Sequence, residues 1–420
     1  MHIFDIIALF IFLSGVFIFI NLHYLKLPSS VGLIILSLTL SAGLLIYSKI
    51  VPEFATNVKH VMENMDYEPV LFEIVLSFML FAGALNVDFS KLGKSKAPTI
   101  VLAIAGVLIS TTLVGWVMHY VLLWIGIELD ILHCLVFGAL ISPTDPVAVI
   151  KTIKKYGMSQ SLADKMKGES LLNNSVSVVL AVLLHHLAFE QETHTLSNLD
   201  FITTSLSFIG GGAIIGVILG LIGYQLLLII DNEDVDVEVL ITIALVMVAT
   251  QVGNYFDVSP VMAITLIGLI IGNKGRKEHD GEGAAGEYVY SFWYLIEESL
   301  NVMLFVLIGL EMIVLDLRLD VFAAGFFAVI IVLTARWLSV IVPIKVSKSS
   351  RKSFDNSTIN VLAWGGLRSG LSVVLSLSLP DFEGKEIIIT LTYVVVVVSL
   401  LYQGLTISGL LKSTFGKVTD

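Results

Sequence analysis

Ser142-Pro143-Thr144-Asp145-Pro146 and Trp364-Gly365-Gly366-Leu367-Arg368-Ser369-Gly370 each interrupt a hydrophobic segment with helix-breaking residues and set one charge at membrane depth. Backbone that leaves the helix inside hydrocarbon must be re-satisfied by protein, water or a bound ion, so such breaks line polar cavities. Two charged breaks in one chain are the pattern of an ion transporter.

The rest of the chain supports a membrane setting. Of its 420 residues 56% are apolar and only 14% charged, with mean hydropathy +0.93, a composition that no soluble core of this size could enclose. Apolar stretches repeatedly approach the ~20 residues that cross ~30 Å of hydrocarbon. They divide into about thirteen spans, of which the fifth (131 to 150) and the twelfth (357 to 379) carry the breaks. Asp5 precedes the first apolar run, with no basic flank and no cleavage site, so that span reads as a retained helix. The single cysteine, Cys134, excludes an intramolecular disulfide and a cysteine-based metal cluster.

Lys and Arg in short loops stay on the cytoplasmic side. With the N-terminus outside and the C-terminus inside, 18 of the 24 basic residues fall in cytoplasmic loops, and only Arg336 and Arg368 lie within spans. The net charge of -11 arises in loops, including the Gly-rich stretch 273 to 287, and does not call for a nucleic acid or another charged partner. The broken spans are seven apart and cross in opposite directions, as an inverted repeat with two crossed discontinuous helices requires.

In the first break, Pro143 and Pro146 cannot donate backbone hydrogen bonds and divide the span into half-helices. Freed carbonyls, the Thr144 hydroxyl and the Asp145 carboxylate are hard oxygen ligands suited to Na⁺ or Li⁺. The competing interpretation is a proline kink with Asp145 reaching water, but an intramembrane carboxylate is functional by default. On the sixth span Glu169, Ser170, Asn173, Asn174 and Ser177 recur at three- and four-residue spacing and form one polar stripe. Interhelical hydrogen bonds would account for the serines and asparagines; Glu169 needs a partner or a proton. Arg368 is the expected partner in a structural ion pair, with Gly365, Gly366 and Gly370 permitting close backbone approach. Arg336 is the alternative.

Glu73, Glu297, Glu298 and Glu311 sit near span ends and are expected to reach the interfaces, and His119, His185 and His186 to pack or sit at the outer interface. An intramembrane hydrolase is disfavoured, because Ser170 and His185 stand about 22 Å apart along one helix, too far for a dyad.

The strings FMLFAGALNVDFSKL (78–92), GALISPTDPVAVI (138–150), GESLLNNSVSVV (168–179), LNVMLFVLIGLEM (300–312) and WGGLRSGLSVVLSLSLP (364–380) occur in an order that resembles the monovalent cation/proton antiporters, in their NhaP-like sodium/proton exchanger branch. The resemblance implies an all-α polytopic homodimer in a lipid bilayer of the cell membrane, serving pH homeostasis. It implies dimerisation helices in 1–96 and 238–319, a mobile core in 97–190 and 320–420, and a linker helix in 191–237. It further implies electroneutral, elevator-type exchange of Na⁺ (or Li⁺) for H⁺ with no enzyme activity and no cofactor. Transferred onto this chain, the ion site would use Thr144, Asp145, Glu169, Ser170, Asn173 and Asn174, with Na⁺ at Asp145, Thr144, Ser170 and Glu169, and Arg368 pairing Glu169.

One position departs from the pattern. Where the branch resembles Asn-Asp, with an aspartate that carries proton and cation in turn, this chain has Asn173-Asn174. An amide can lend its oxygen but neither titrates nor carries charge near neutral pH. The chain is therefore expected to be an inactivated or state-trapped form. The alternatives are a variant that couples through Asp145, a K⁺/H⁺ exchanger, and a transport-silent scaffold or sensor. Ser369, where the family often has Gly, is expected to alter only packing.

Overall fold

A computed structural model of the chain describes residues 3–50, 74–92, 95–155, 160–193, 198–230, 234–278, 287–313 and 318–415. Glu73 lies outside them. The helices are α1 Ile3–Ile20, α2 Ser29–Ile50, α3 Ser77–Leu85, α4 Lys96–Ile125, α5 Ile131–Leu140, α6 Val147–Lys155, α7 Gln160–Thr193, α8 Asn198–Ile229, α9 Val235–Tyr255, α10 Pro260–Glu278, α11 Glu287–Glu311, α12 Leu319–Val346, α13 Asn356–Trp364, α14 Gly370–Leu377, α15 Lys385–Val398 and α16 Gly404–Phe415. Among the described residues, nine helices are long and apolar enough to cross a membrane, and Ile74–Leu85, Ile131–Leu140 and Pro260–Lys274 are shorter apolar helices.

Helix ends are placed by residues that answer orphan backbone groups. Asp130 accepts from Leu132 N ahead of α5, Asp355 from Thr358 N ahead of α13, and Ser369 from Leu371 N ahead of α14. Ser369 is thus a helix cap, a role beyond the packing change expected for it.

Lipid offers no hydrophobic drive between helices, so close approach of small residues holds them. Where α8 crosses α10, a Cβ on Gly212 would come within 2.3 Å of the Ser259 carbonyl oxygen and one on Gly216 within 2.6 Å of that of Ala263. Only hydrogen fits at those two positions. The helices pack most extensively in two groups. In one, α10 packs on α8, α9 and α3, and α11 on α2, α3 and α1. In the other, α4 packs on α12, α5 and α7, and α15 on α12 and α14.

The two breaks meet. Thr144–Asp145 (β1) and Leu367–Arg368 (β2) pair antiparallel, Thr144 opposite Arg368 and Asp145 opposite Leu367. Two extended residues in each break thus lie side by side, and side chains answer the Thr144 and Arg368 N–H groups, Asn174 Oδ1 the first and Ser399 Oγ the second, as hydrocarbon requires. A third irregularity faces them: the last membrane segment winds through a π-helical turn, Ser399–Gln403, between α15 and α16.

Candidate functional site

Each break frees backbone groups, and most of them are met by protein. The guanidinium of Arg368 donates to the carbonyls of Ile141 (2.7 Å) and Ser142 (3.2 Å) at the end of α5, and to Val332 (3.2 Å) on α12. Asn173 Nδ2 donates to Ser142 O (3.2 Å) and to Thr144 Oγ1 (3.3 Å). Ser170 Oγ donates to Thr144 O (2.6 Å), and the Thr144 N–H donates to Asn174 Oδ1 (2.9 Å). At the second break Gln403 Nε2 donates to Trp364 O (2.9 Å), while Ser399 Oγ accepts from Arg368 N (3.0 Å) and donates to Gln403 Oε1.

Four carbonyls at the breaks, those of Ile141, Ser142, Thr144 and Trp364, thus already accept hydrogen bonds from Arg368, Asn173, Ser170 and Gln403. Asp145 Oδ1 accepts from Val147 N (2.9 Å), the first N–H of α6, while the Pro146 carbonyl accepts the first helical bond, from Ile150 N (2.7 Å), at a position where its missing N–H costs nothing. One carboxylate oxygen does this structural work, and Asp145 also lines the cavity of the site.

The ion pair differs from the expected one. Glu169 is bound in a two-point contact by Arg336, Nη1 to Oε1 at 2.8 Å and Nη2 to Oε2 at 3.2 Å, and Arg336 Nη2 also donates to Leu362 O. Arg368 is not its partner. Reach explains the correction: Arg336 enters from α12 and passes Gly366, where a Cβ would lie 2.5 Å from Arg336 Nε. Arg368 is drawn instead to the carbonyls that the first break exposes. Both guanidinium groups stay inside, Arg336 5% and Arg368 1% exposed, as the planar fork allows when all its acceptors are fixed.

Thr144, Asp145, Ser170 and Asn174 line one cavity of about 460 Å³. Glu169 and Asn173, both 3% exposed, stand behind its wall, Glu169 bound by Arg336 and Asn173 donating to Ser142 O and Thr144 Oγ1. The cavity reaches Asp88, beyond the end of α3, and Gln160, Asp164 and Lys167 in the first turns of α7. Its opposite wall is α11, with Tyr294, Glu297, Glu298 and Asn301. Glu297 and Glu298 were expected only at the interface; they face the cavity, and Glu298 lies 3.8 Å from Lys151 Nζ. Glu311 also departs from expectation, buried at 4% exposure with Oε2 lacking a hydrogen-bond partner. His119 approaches Leu129 O (3.0 Å), His185 packs against Phe382 and His186 stacks on Phe208. Ser399 and Gln403 escaped the sequence reading, since two polar residues four apart in an apolar span look like ordinary interhelical contacts; the π-turn that aims both at the break has no sequence signal.

Residues 8–413 match the family described as sodium/hydrogen exchanger, transmembrane. The chain belongs to that family. This sodium/hydrogen exchanger is 36% identical over 418 residues to the Na⁺/H⁺ antiporter NhaP of Pseudomonas aeruginosa, covering 98% of this chain and 97% of the relative. It is 30% identical to the Na⁺/H⁺ antiporter NhaH of Halobacillus aidingensis, covering 92% of each. In fold it is similar to the sodium proton antiporter MjNhaP1 of Methanocaldococcus jannaschii, with a TM-score of 0.76 at 18% identity over 99% of both chains. As a member of this family it is a multi-pass membrane protein of the secondary transporter class and not an enzyme.

Proposed function

We propose that this chain is a secondary exchanger of Na⁺ or Li⁺ for H⁺ in a cell membrane. The observation that carries the reading is the convergence of Asp145, Thr144, Ser170 and Asn174 on one cavity at the crossing of two broken helices. Relatives named as Na⁺/H⁺ antiporters, matched over nearly the whole chain, support it. A carboxylate that binds either a proton or a cation makes the two exclude each other, so only loaded states cross and leak is avoided. One cation exchanged for one proton makes the cycle electroneutral.

Two packed groups of helices support an elevator. The core of residues 97–190 and 320–420 carries the site, and 1–96 with 238–319 forms the body through which two copies associate, 191–237 linking the two. About thirteen crossings place the N-terminus outside and the C-terminus inside, and the cavity then opens to the cytoplasm.

Asn174 is the point at which this chain differs from a full exchanger. Its amide oxygen takes the Thr144 N–H at 2.9 Å, a contact that a carboxylate of the same shape would also make. The site thus keeps its geometry and lacks a charge, which holds the chain in an impaired or trapped form. The test compares this chain with Asn174→Asp in proteoliposomes, following Na⁺-, Li⁺- and K⁺-driven proton movement. Exchange is expected in Asn174→Asp at least about tenfold faster than in the parent, and lost again on adding Asp145→Asn, which retains an acceptor for Val147 N but not the charge. Equal exchange by the parent and Asn174→Asp would overturn the role of Asn174. Absence of exchange in both would favour the silent scaffold.

A further inference from the structure

The core wall of the cavity offers a cation few partners. The carbonyls of Ile141, Ser142, Thr144 and Trp364 already accept hydrogen bonds from protein, and Asp145 is the one charged group among Thr144, Asp145, Ser170 and Asn174. The facing wall is richer, and its two carboxylates differ. Glu298 is held by Lys151 Nζ at 3.8 Å and by the Tyr294 hydroxyl at 3.3 Å. Glu297 lines the same cavity as Asp145 and Lys167, with Glu298 its neighbour on α11. Among these, Lys167 and Lys151 are the cationic groups and Asp145 and Glu298 the anionic ones. Two carboxylates that share a cavity from opposite walls repel, and a bound cation relieves both.

The two carboxylates also belong to different parts of the molecule. Asp145 is fixed between α5 and α6, in the helix group that includes α4, α7 and α12. Glu297 is on α11, which packs on α2 and α3 in the other group. If the first group moves against the second, Asp145 travels and Glu297 stays behind.

We propose that Glu297 is a cation ligand only in the conformation whose cavity opens past Asp88, Gln160 and Lys167, so that the exchanger binds cations more tightly on that face than on the other. The proposal rests on the elevator reading of the previous section for its sidedness. Its local part, Glu297 as a ligand, stands on the cavity alone. An exchanger built this way draws cations from the face where Glu297 helps and releases them where the core has left it. The affinity difference is then a property of the stationary wall, and changing that wall tunes one face without touching the travelling site.

The first measurement uses the purified full chain in detergent. Melting temperature is followed against NaCl at constant ionic strength, with choline chloride as the balancing salt, because a ligand of the native state raises stability by mass action. The NaCl concentration for half-maximal stabilisation is expected to rise about tenfold in Glu297→Gln, as for loss of one charged partner, and less in Glu298→Gln. Glu297→Asp, which keeps the charge on a shorter arm, is expected to recover part of the shift. Unchanged Na⁺ stabilisation in Glu297→Gln overturns the proposal.

The second uses oriented proteoliposomes of Asn174→Asp with and without Glu297→Gln, and apparent KM for Na⁺ is measured from each face. A rise of about tenfold on the face of Asp88 and Gln160, with less than about twofold on the other, is the expected result. An equal rise on both faces removes the sidedness. If Asn174→Asp does not exchange at all, the exchanger reading fails, and the NaCl titration still decides whether Glu297 is a ligand.

Discussion

Glu169 had two intramembrane arginines to choose from, and the approach path decided between them. Arg336 reaches it past Gly366 and binds both carboxylate oxygens, while Arg368 spends its donors on Ile141, Ser142 and Val332 carbonyls. A buried pair broken on one side leaves an uncompensated charge, which costs about 3–5 kcal/mol. Glu169→Gln and Arg336→Gln are each expected to destabilise on that scale and to couple strongly in a double-mutant cycle read by unfolding in detergent. Glu169→Gln with Arg368→Gln is expected to couple much less, since those side chains share no hydrogen bond. Strong coupling in the second cycle and weak coupling in the first would restore the pairing expected from sequence. The spacing of the polar stripe named Glu169 as a group in need of a partner, but spacing carries no information about which distant helix supplies it.

At the scale of elements, the discontinuities work as a set of three. The break between α5 and α6 and the break between α13 and α14 pair through two extended residues each, and the π-turn of Ser399–Gln403 supplies the side chains that finish the second. Gln403 is 1% exposed, and its amide is the partner of the Trp364 carbonyl. Gln403→Leu keeps the apolar bulk and strands that carbonyl, so a loss of about 1–3 kcal/mol is expected in the same unfolding assay. A value near zero would mean that another donor answers Trp364. The proline pair and the glycines made both breaks readable in advance because those residues act on the local backbone. The π-turn was not readable, since its polar residues are aimed by helix winding that no local residue dictates.

The whole molecule is two packed groups of helices that touch along α11 and α14, among other places. An ideal Cβ on Gly370 of α14 falls 3.4 Å from Leu304 Cβ on α11, close to the separation of a disulfide. Leu304→Cys with Gly370→Cys is therefore expected to cross-link under oxidation, in the Asn174→Asp background and with Cys134 replaced by Ala. If the groups slide past one another, the oxidised protein stops exchanging and reduction restores it. Undiminished exchange by the fully cross-linked protein would rule out relative motion at this contact.

From its residues alone the chain determines that it lives in a membrane, where its helices break and which polar side chains cannot face lipid. These follow from hydrophobic length, from the backbone chemistry of proline and glycine, and from the cost of an unpaired polar group in hydrocarbon. Tertiary structure decided who satisfies whom. It turned freed carbonyls toward Arg368 and Gln403, gave Glu169 to Arg336, set Asp145 at the start of α6 on the cavity wall, and set Glu297 opposite it. Such pairings depend on the relative height and rotation of helices far apart in sequence, quantities fixed by packing among small residues and not by any local pattern.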